Sequence, residues 1–229
     1  MENILGIDGS KNGWVGVKQN AKREDFSEII FKEKLIDFLS TDIKLIIIDM
    51  PVGLDKNIQQ GGRLVDKEAR KKLLKRKSSI FNAPIRDVLK AKSYDEANTI
   101  SKSKGLGISK QSWNLVPKIN ELDQILQIKI RPQIYESHPE LCFQTMNDGE
   151  LKFSKKEKLG IKERRNILTK NGFDRKFLDR NLKKNKNFHP DDFLDACALS
   201  WTAKRIMNEK NINLPEDPKK DELGIIMQM

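Results

Sequence analysis

NILGIDGSKNGWVGV, residues 3–17, decides how the rest of the chain is read. An apolar run ends in a single acid, Asp8, and a second apolar run follows a Ser-Lys-Asn-Gly break. A strand, a tight turn and a returning strand account for the apolar residues and the breakers. They leave Asp8 unexplained. A carboxylate at the end of a buried strand costs free energy unless something pairs with it. Either Asp8 caps the turn, as short acidic side chains do, or it holds a cation.

A second stretch repeats the pattern. In KLIIIDMPVGL, residues 44–54, the run Leu45–Ile48 reads as a central strand of the parallel type, buried on both faces. It stops at Asp49, and Pro51 forbids continuation. If the two strands are parallel neighbours, Asp8 and Asp49 lie side by side at one sheet edge, where α/β folds place their sites. Between them, FSEIIFKEKL (26–35) supplies a third, antiparallel strand that runs into a short helix near Leu35–Leu39. Strand character returns at PQIYE, which ends in Glu136. The clearest helix is FHPDDFLDACALSWTAKRIMNEK, with Pro190 in its first turn and cations at its far end. Asp192 and Asp195 are three apart and share a face. Acids near a helix start are ordinary, and Asp191 needs no other reason. Asp195 sits deeper, among Ala, Cys and Leu, with no cation at helical spacing before Leu199.

The expected fold is therefore α/β: a mixed five-stranded sheet with helices on both faces. Residues 1–229 are expected to form a single domain with a helical insertion, approximately 62–127, after the fourth strand. Within that insertion GRLVDKEARKKLLKRK has helical apolar spacing, and short helices broken at Pro84, Gly105/Gly107 and Pro117 follow. The insertion is expected to cover the acidic edge. LGIIMQM, at the end, reads as a last edge strand.

Across the 229 residues, 37% are hydrophobic and 34% charged, enough for a core beneath a charged surface. No apolar run approaches the ~20 residues of a membrane span, and Met1-Glu2-Asn3 leads straight into a strand, so a soluble, cytoplasmic protein is expected. Cys142 and Cys197 lie in apolar patterns without a second ligand at metal spacing, which argues for reduced core thiols and against zinc. The formal charge of +11 suits a polyanionic partner, although a Lys- and Asn-rich composition is also what a low-GC genome produces.

Several stretches, in order along nearly the whole chain, resemble the family called domain of unknown function 429, whose members are labelled predicted RNase H-like nucleases. They are GIDGSKNGWVG, IDMPVGL, DKEARKKLLKRKSSIFNAPIRDVL, GISKQSWNLVPKINELD, YESHPELCF, SKKEKLGIKERRNIL and DDFLDACALSWTAKR. The element order resembles the ribonuclease H-like superfamily, and the D-x-x-D-A of the last helix is similar to RuvC-type resolvases. The resemblance implies a nuclease with Asp8, Asp49, Asp192 and Asp195 as metal ligands and catalytic residues, although RuvC-type enzymes often carry Glu where Asp49 stands. It also implies Mg²⁺ or Mn²⁺, which hard oxygen donors select over zinc, in a two-metal hydrolysis. Glu136 is a candidate outer ligand or base, or a turn-capping acid. Lys11, Arg63, Arg70, Arg76, Ser78, Arg86 and Lys118 are candidate substrate contacts; each can also be a solvated surface residue. RuvC-type resolvases work as dimers, so the resemblance allows a homodimer on nucleic acid.

Two other classes compete. GIDGS also resembles the first phosphate loop of actin-like sugar kinases, which need a second loop and a duplicated lobe that this chain lacks. A nucleic-acid binder that kept the fold without the activity is the other, and four intact acids argue against it. Trp113 could stack on a base, with burial in the core as the stronger alternative.

Overall fold

The computed structural model describes residues 2–129, 131–183 and 185–229, apart from the side chains of 23–25. In chain order the strands are β1 (Asn3–Ser10), β2 (Gly13–Asn20), β3 (Arg23–Lys32), β4 (Ile43–Ile48), β5 (Gln133–Glu136), β6 (Lys219–Lys220) and β7 (Ile226–Met227). The α-helices are α1 (Leu64–Lys72), α2 (Tyr94–Ser103), α3 (Lys110–Leu126), α4 (Pro139–Asn147), α5 (Lys158–Lys170), α6 (Arg175–Asn181) and α7 (Pro190–Met207). The chain divides into two compact units: Met1–Asp49 with Ile130–Ile212, and Met50–Lys129 with Asn213–Met229.

The first unit is built on a five-stranded sheet of order β3-β2-β1-β4-β5. β1 and β2 pair antiparallel from Asn3↔Asn20 to Ser10↔Gly13, leaving Lys11-Asn12 as the turn. β4 runs parallel to β1, and β5 parallel to β4. The topology is RNase H-like, as the two acid-terminated strands and the hairpin led one to expect.

α7 lies across β1, β2 and β4 on one face of this sheet. Phe193, Leu194, Ala196–Leu199 and Ala203 are all buried, so the helix is apolar nearly all round, as a central helix must be. α4 and α5 pack against it in turn. On the opposite face Phe38, from the 3-10 turn Leu35–Phe38, packs over Gly16 and Leu5.

Small residues bring α7 close. A Cβ added at Gly6 would lie 2.1 Å from Ser200 N and 2.4 Å from Ala196 O. Strand backbone and helix backbone therefore touch at that point, next to Asp8 and Asp195.

The second unit holds α1–α3 and a two-stranded ribbon, β6 with β7. Two expectations are corrected here. α3 runs unbroken through Pro117. Proline costs a helix interior about 3 kcal/mol. Pro117 lies on the exposed side, while Val116, Ile119, Leu122, Ile125 and Leu126 are buried, and that burial offsets the loss. The C-terminal residues join no edge of the main sheet: Ile226 and Met227 pair with Lys220 and Lys219. Trp113 packs against the cluster of Ile85, Val88, Ala97, Ile108 and Val116.

Gly6→Ala should be among the most damaging single-methyl substitutions in the chain. Overpacking costs roughly 1–3 kcal/mol where side chains can adjust, and here both neighbours are backbone. A loss of about 3 kcal/mol or more in denaturant unfolding is expected. A stability equal to wild type would show that α7 does not approach β1 this closely.

Candidate active site

The register of the parallel pair fixes the first two acids. Ile7 is opposite Ile48, and Asp49 N donates to Ile7 O at 3.1 Å. Asp8 and Asp49 are the next residues on each strand, side by side on the face that carries Ile4, Gly6, Leu45 and Ile47. That is α7's face, since Ile4, Leu45 and Ile47 share a buried cluster with Phe193 and Ala196–Leu199. The close approach at Gly6 then sets Asp195 over the same strand ends. Three acids from three chain segments meet at one place.

Their hydrogen bonds leave them incompletely satisfied. Asp8 Oδ1 accepts from Gly9 N at 2.9 Å, a local contact of the turn-capping kind. Asp195 Oδ2 accepts from Lys155 Nζ at 2.6 Å, while its buried Oδ1 has no hydrogen-bond partner among the described residues. Asp192 Oδ2 accepts from His189 N at 2.9 Å and so also closes the start of α7. Asp191 is buried and pairs with Lys156 at 2.7 Å.

The electrostatics follow. Burial first, then the charges of Asp49 and Asp195, push the Asp8 carboxyl well above the usual range, with Lys155 opposing. Burial raises Asp49 to about 6 against the pull of Lys155, with Glu140 adding to the rise. Asp195 also rises to about 6 through burial, although Lys155 touches it. Burial is the main cause of a raised value at Asp192 as well. For Lys155, burial works to lower the value, but Asp195, Asp8 and Asp49 together outweigh it and keep the ammonium charged.

Hard carboxylate oxygens with raised proton affinity, one of them without a partner, suit in kind a small divalent cation. The arrangement around Lys155 is not yet a coordination shell. No three acidic, imidazole or thiol groups among the described residues are placed to hold a metal ion.

Glu136 is not gathered with the others. It pairs with Ile48 in parallel register, and so takes the face opposite Asp8 and Asp49. Lys11 is exposed in the β1–β2 turn, three residues beyond Asp8. The second unit uses most of its expected phosphate clamps internally. Buried Arg63 pairs with Asp66 at 2.6 Å and donates to Gly53 O at 2.9 Å. Arg70 donates to Gly61 O and Ile80 O. Arg86 pairs with Asp123 and Asp221. The Arg76 carbonyl accepts from Ser79, Ser78 is exposed, and Lys118 is half-buried.

The residue that sequence reasoning missed is Lys155. Nothing in the run SKKEK marks it as part of a site, yet Lys155 and Lys156 reach Asp195 and Asp191. A signal was present: a buried acid without a cation on its own helix requires one from elsewhere. Glu140 and Arg164 form a further buried pair at 2.5 Å beneath the same segment.

A family comparison matches residues 6–220, a span that includes every acid of this cluster, to the family described as protein of unknown function (DUF429). The chain belongs to the DUF429 family. It matches no curated protein and no solved structure at a significant level. Among the described residues no helix is long and apolar enough to cross a membrane. For this DUF429 chain the site must be read from its own geometry.

A pH test follows from the cluster. Carboxyls whose folded pKa is raised stabilise the fold fully below their unfolded value, about 3.9. That contribution is lost as pH rises through about 6 for Asp49 and Asp195. Without added metal, Asp49→Asn should therefore be progressively more stable than wild type from pH 4 to pH 7, by on the order of 3 kcal/mol at the upper end. Thermal unfolding of both proteins in EDTA across that range checks it. Parallel pH profiles would mean that Asp49 does not carry the raised value.

Proposed function

We propose that this protein is a metal-dependent phosphodiesterase acting on nucleic acid, of the ribonuclease H-like superfamily and similar to RuvC-type enzymes in its last helix. One observation carries the reading: Asp8, Asp49 and Asp195 come from separate segments to one end of β1 and β4, on α7's face. Those three would hold Mg²⁺ or Mn²⁺, with Asp192 at the rim. A bound ion there supplies an activated water and neutralises charge that develops on the phosphoryl oxygens. The chain's own part is to orient. Asp49 is held by its backbone bond to Ile7, and Asp195 by the buried start of α7. Lys11, exposed three residues past Asp8, would contact a phosphate on this reading. Neither histidine is needed as a nucleophile: His138 Nδ1 accepts from Glu140 N, and His189 begins α7.

A second reading, a binder without activity, is favoured by one specific observation. Lys155 already pairs with Asp195, and among the described residues no three acidic, imidazole or thiol groups are placed to hold a metal ion.

The two readings separate in one assay. Purified protein with Mg²⁺ or Mn²⁺ is offered single-stranded, duplex, hybrid and branched substrates, beside Asp8→Asn and Asp195→Asn. The nuclease reading expects cleavage that falls at least about 100-fold in each variant, more than loss of an outer partner costs, with nucleic-acid binding retained. Cleavage that persists in both variants, or none by wild type on any substrate, overturns it.

A further inference from the structure

We infer that Lys155 is a resident cation that competes with a divalent metal ion for Asp195, so that ammonium and ion exclude one another at that carboxylate. The inference rests on the metal-dependent reading above and deepens it, by naming the residue that sets how tightly the site takes metal.

The geometry supports a built position rather than a chance surface pair. The segment ahead of Lys155 is pinned to α5. Glu163 accepts from Lys152 N at 2.9 Å and Phe153 N at 3.0 Å, and Arg164 Nη1 donates to Phe153 O at 3.2 Å. A Cβ at Gly160 would fall 1.8 Å from Ser154 O, so helix and segment touch through backbone. Ser154 is thus fixed, and the next two residues deliver ammonium groups to two acids of α7, Lys155 to Asp195 and Lys156 to Asp191.

The Asp195 side chain is 1% exposed, while that of Lys155 keeps 34%. Displacement would therefore move the more exposed lysine and leave the buried carboxylate in place. Lys155 binds one oxygen of Asp195 and leaves the other without a partner among the described residues. A divalent ion offers twice the charge to the same oxygens and to Asp8 and Asp49. It would also repel a neighbouring ammonium, because like charges a few ångströms apart interact strongly where water is excluded. That repulsion sets the two cations in competition for Asp195.

Calorimetric titration of the full chain with Mn²⁺ at pH 7.5 tests this in wild type, Lys155→Gln, Lys155→Arg and Lys156→Gln. An opposite charge beside a carboxylate changes its proton affinity about tenfold to a thousandfold, and a metal ion contends with the same charge. Lys155→Gln is therefore expected to bind Mn²⁺ about tenfold or more tightly than wild type. Lys155→Arg keeps the weaker affinity, and Lys156→Gln, whose partner is Asp191, changes little. A merely structural lysine would weaken metal binding when removed. Affinity unchanged or weakened in a folded Lys155→Gln, checked by circular dichroism, overturns the inference and leaves the metal site standing. An equal gain in Lys156→Gln also overturns it, because the effect would then be net charge. Absence of Mn²⁺ binding in all four proteins overturns both this inference and the metal-dependent reading.

Discussion

The contact between Gly6 of β1 and the backbone of α7 at Ala196 and Ser200 is the constraint on which the site depends. A side chain at residue 6 would hold the helix away from the sheet, and Asp195 with it. Close approach has an electrostatic consequence. It brings a helix-borne carboxylate down onto two strand-end carboxylates in surroundings that exclude water, and like charges there repel strongly. The same close packing that makes α7 a stable centre of the core makes its acidic turn costly. Ala196, Cys197, Ala198 and Ser200 are all small, which is what a helix needs where backbone meets backbone.

Electrostatic magnitudes indicate what that cost does. At the screening typical of a protein, one contact between unit charges is worth about 4 kcal/mol, attractive or repulsive. A single ammonium, Lys155, can offset one carboxylate repulsion in the trio but not all of them. Asp49 and Asp195 both rise to about 6 with Lys155 in place, chiefly because they are buried, and the ammonium does not cancel that rise. Arg164, whose Nη2 pairs with Glu140, pulls the Asp195 value down but does not cancel the rise. The cluster is thus under-neutralised by design of its own partners, a property of ligand sites more than of structural ion pairs.

Much of this could be read from residues alone, and the reason is local. Asp8 and Asp49 each terminate an apolar run, so strand and acid are written in one short stretch, and the unbroken apolar run 45–48 marks a central strand of the parallel type. Asp195 stood out because its helical neighbours are apolar. What could not be read was long-range. The partner of Asp195 lies forty residues earlier in a segment whose composition looks solvated. Pro117 carries a strong breaking signal that burial on the other side of α3 overrides. Residues 226–227 have strand character, but their partner, 219–220, is a neighbour in sequence and not the main sheet. The face that Glu136 takes depends on register with Ile48, which no periodicity within four residues can fix.

Net charge is the weakest of the sequence signals once partners are known, and arginine shows why. Arg63, Arg86 and Arg164 each meet a carboxylate, and Arg70 meets carbonyl oxygens, with donors in the fixed fork that suits such acceptors. Each of these guanidiniums is committed to acceptors within its own unit. Lysine divides differently. Lys155 and Lys156 are tied to α7, whereas Lys11 stands exposed in the hairpin turn beside the acid-bearing strand end. A flexible ammonium with a water-filled approach can move to a phosphate at small cost, whereas a buried guanidinium would leave a carboxylate unpaired behind it. If a polyanion binds as proposed, exposed cations such as Lys11, three residues past Asp8, would meet it before these committed arginines do.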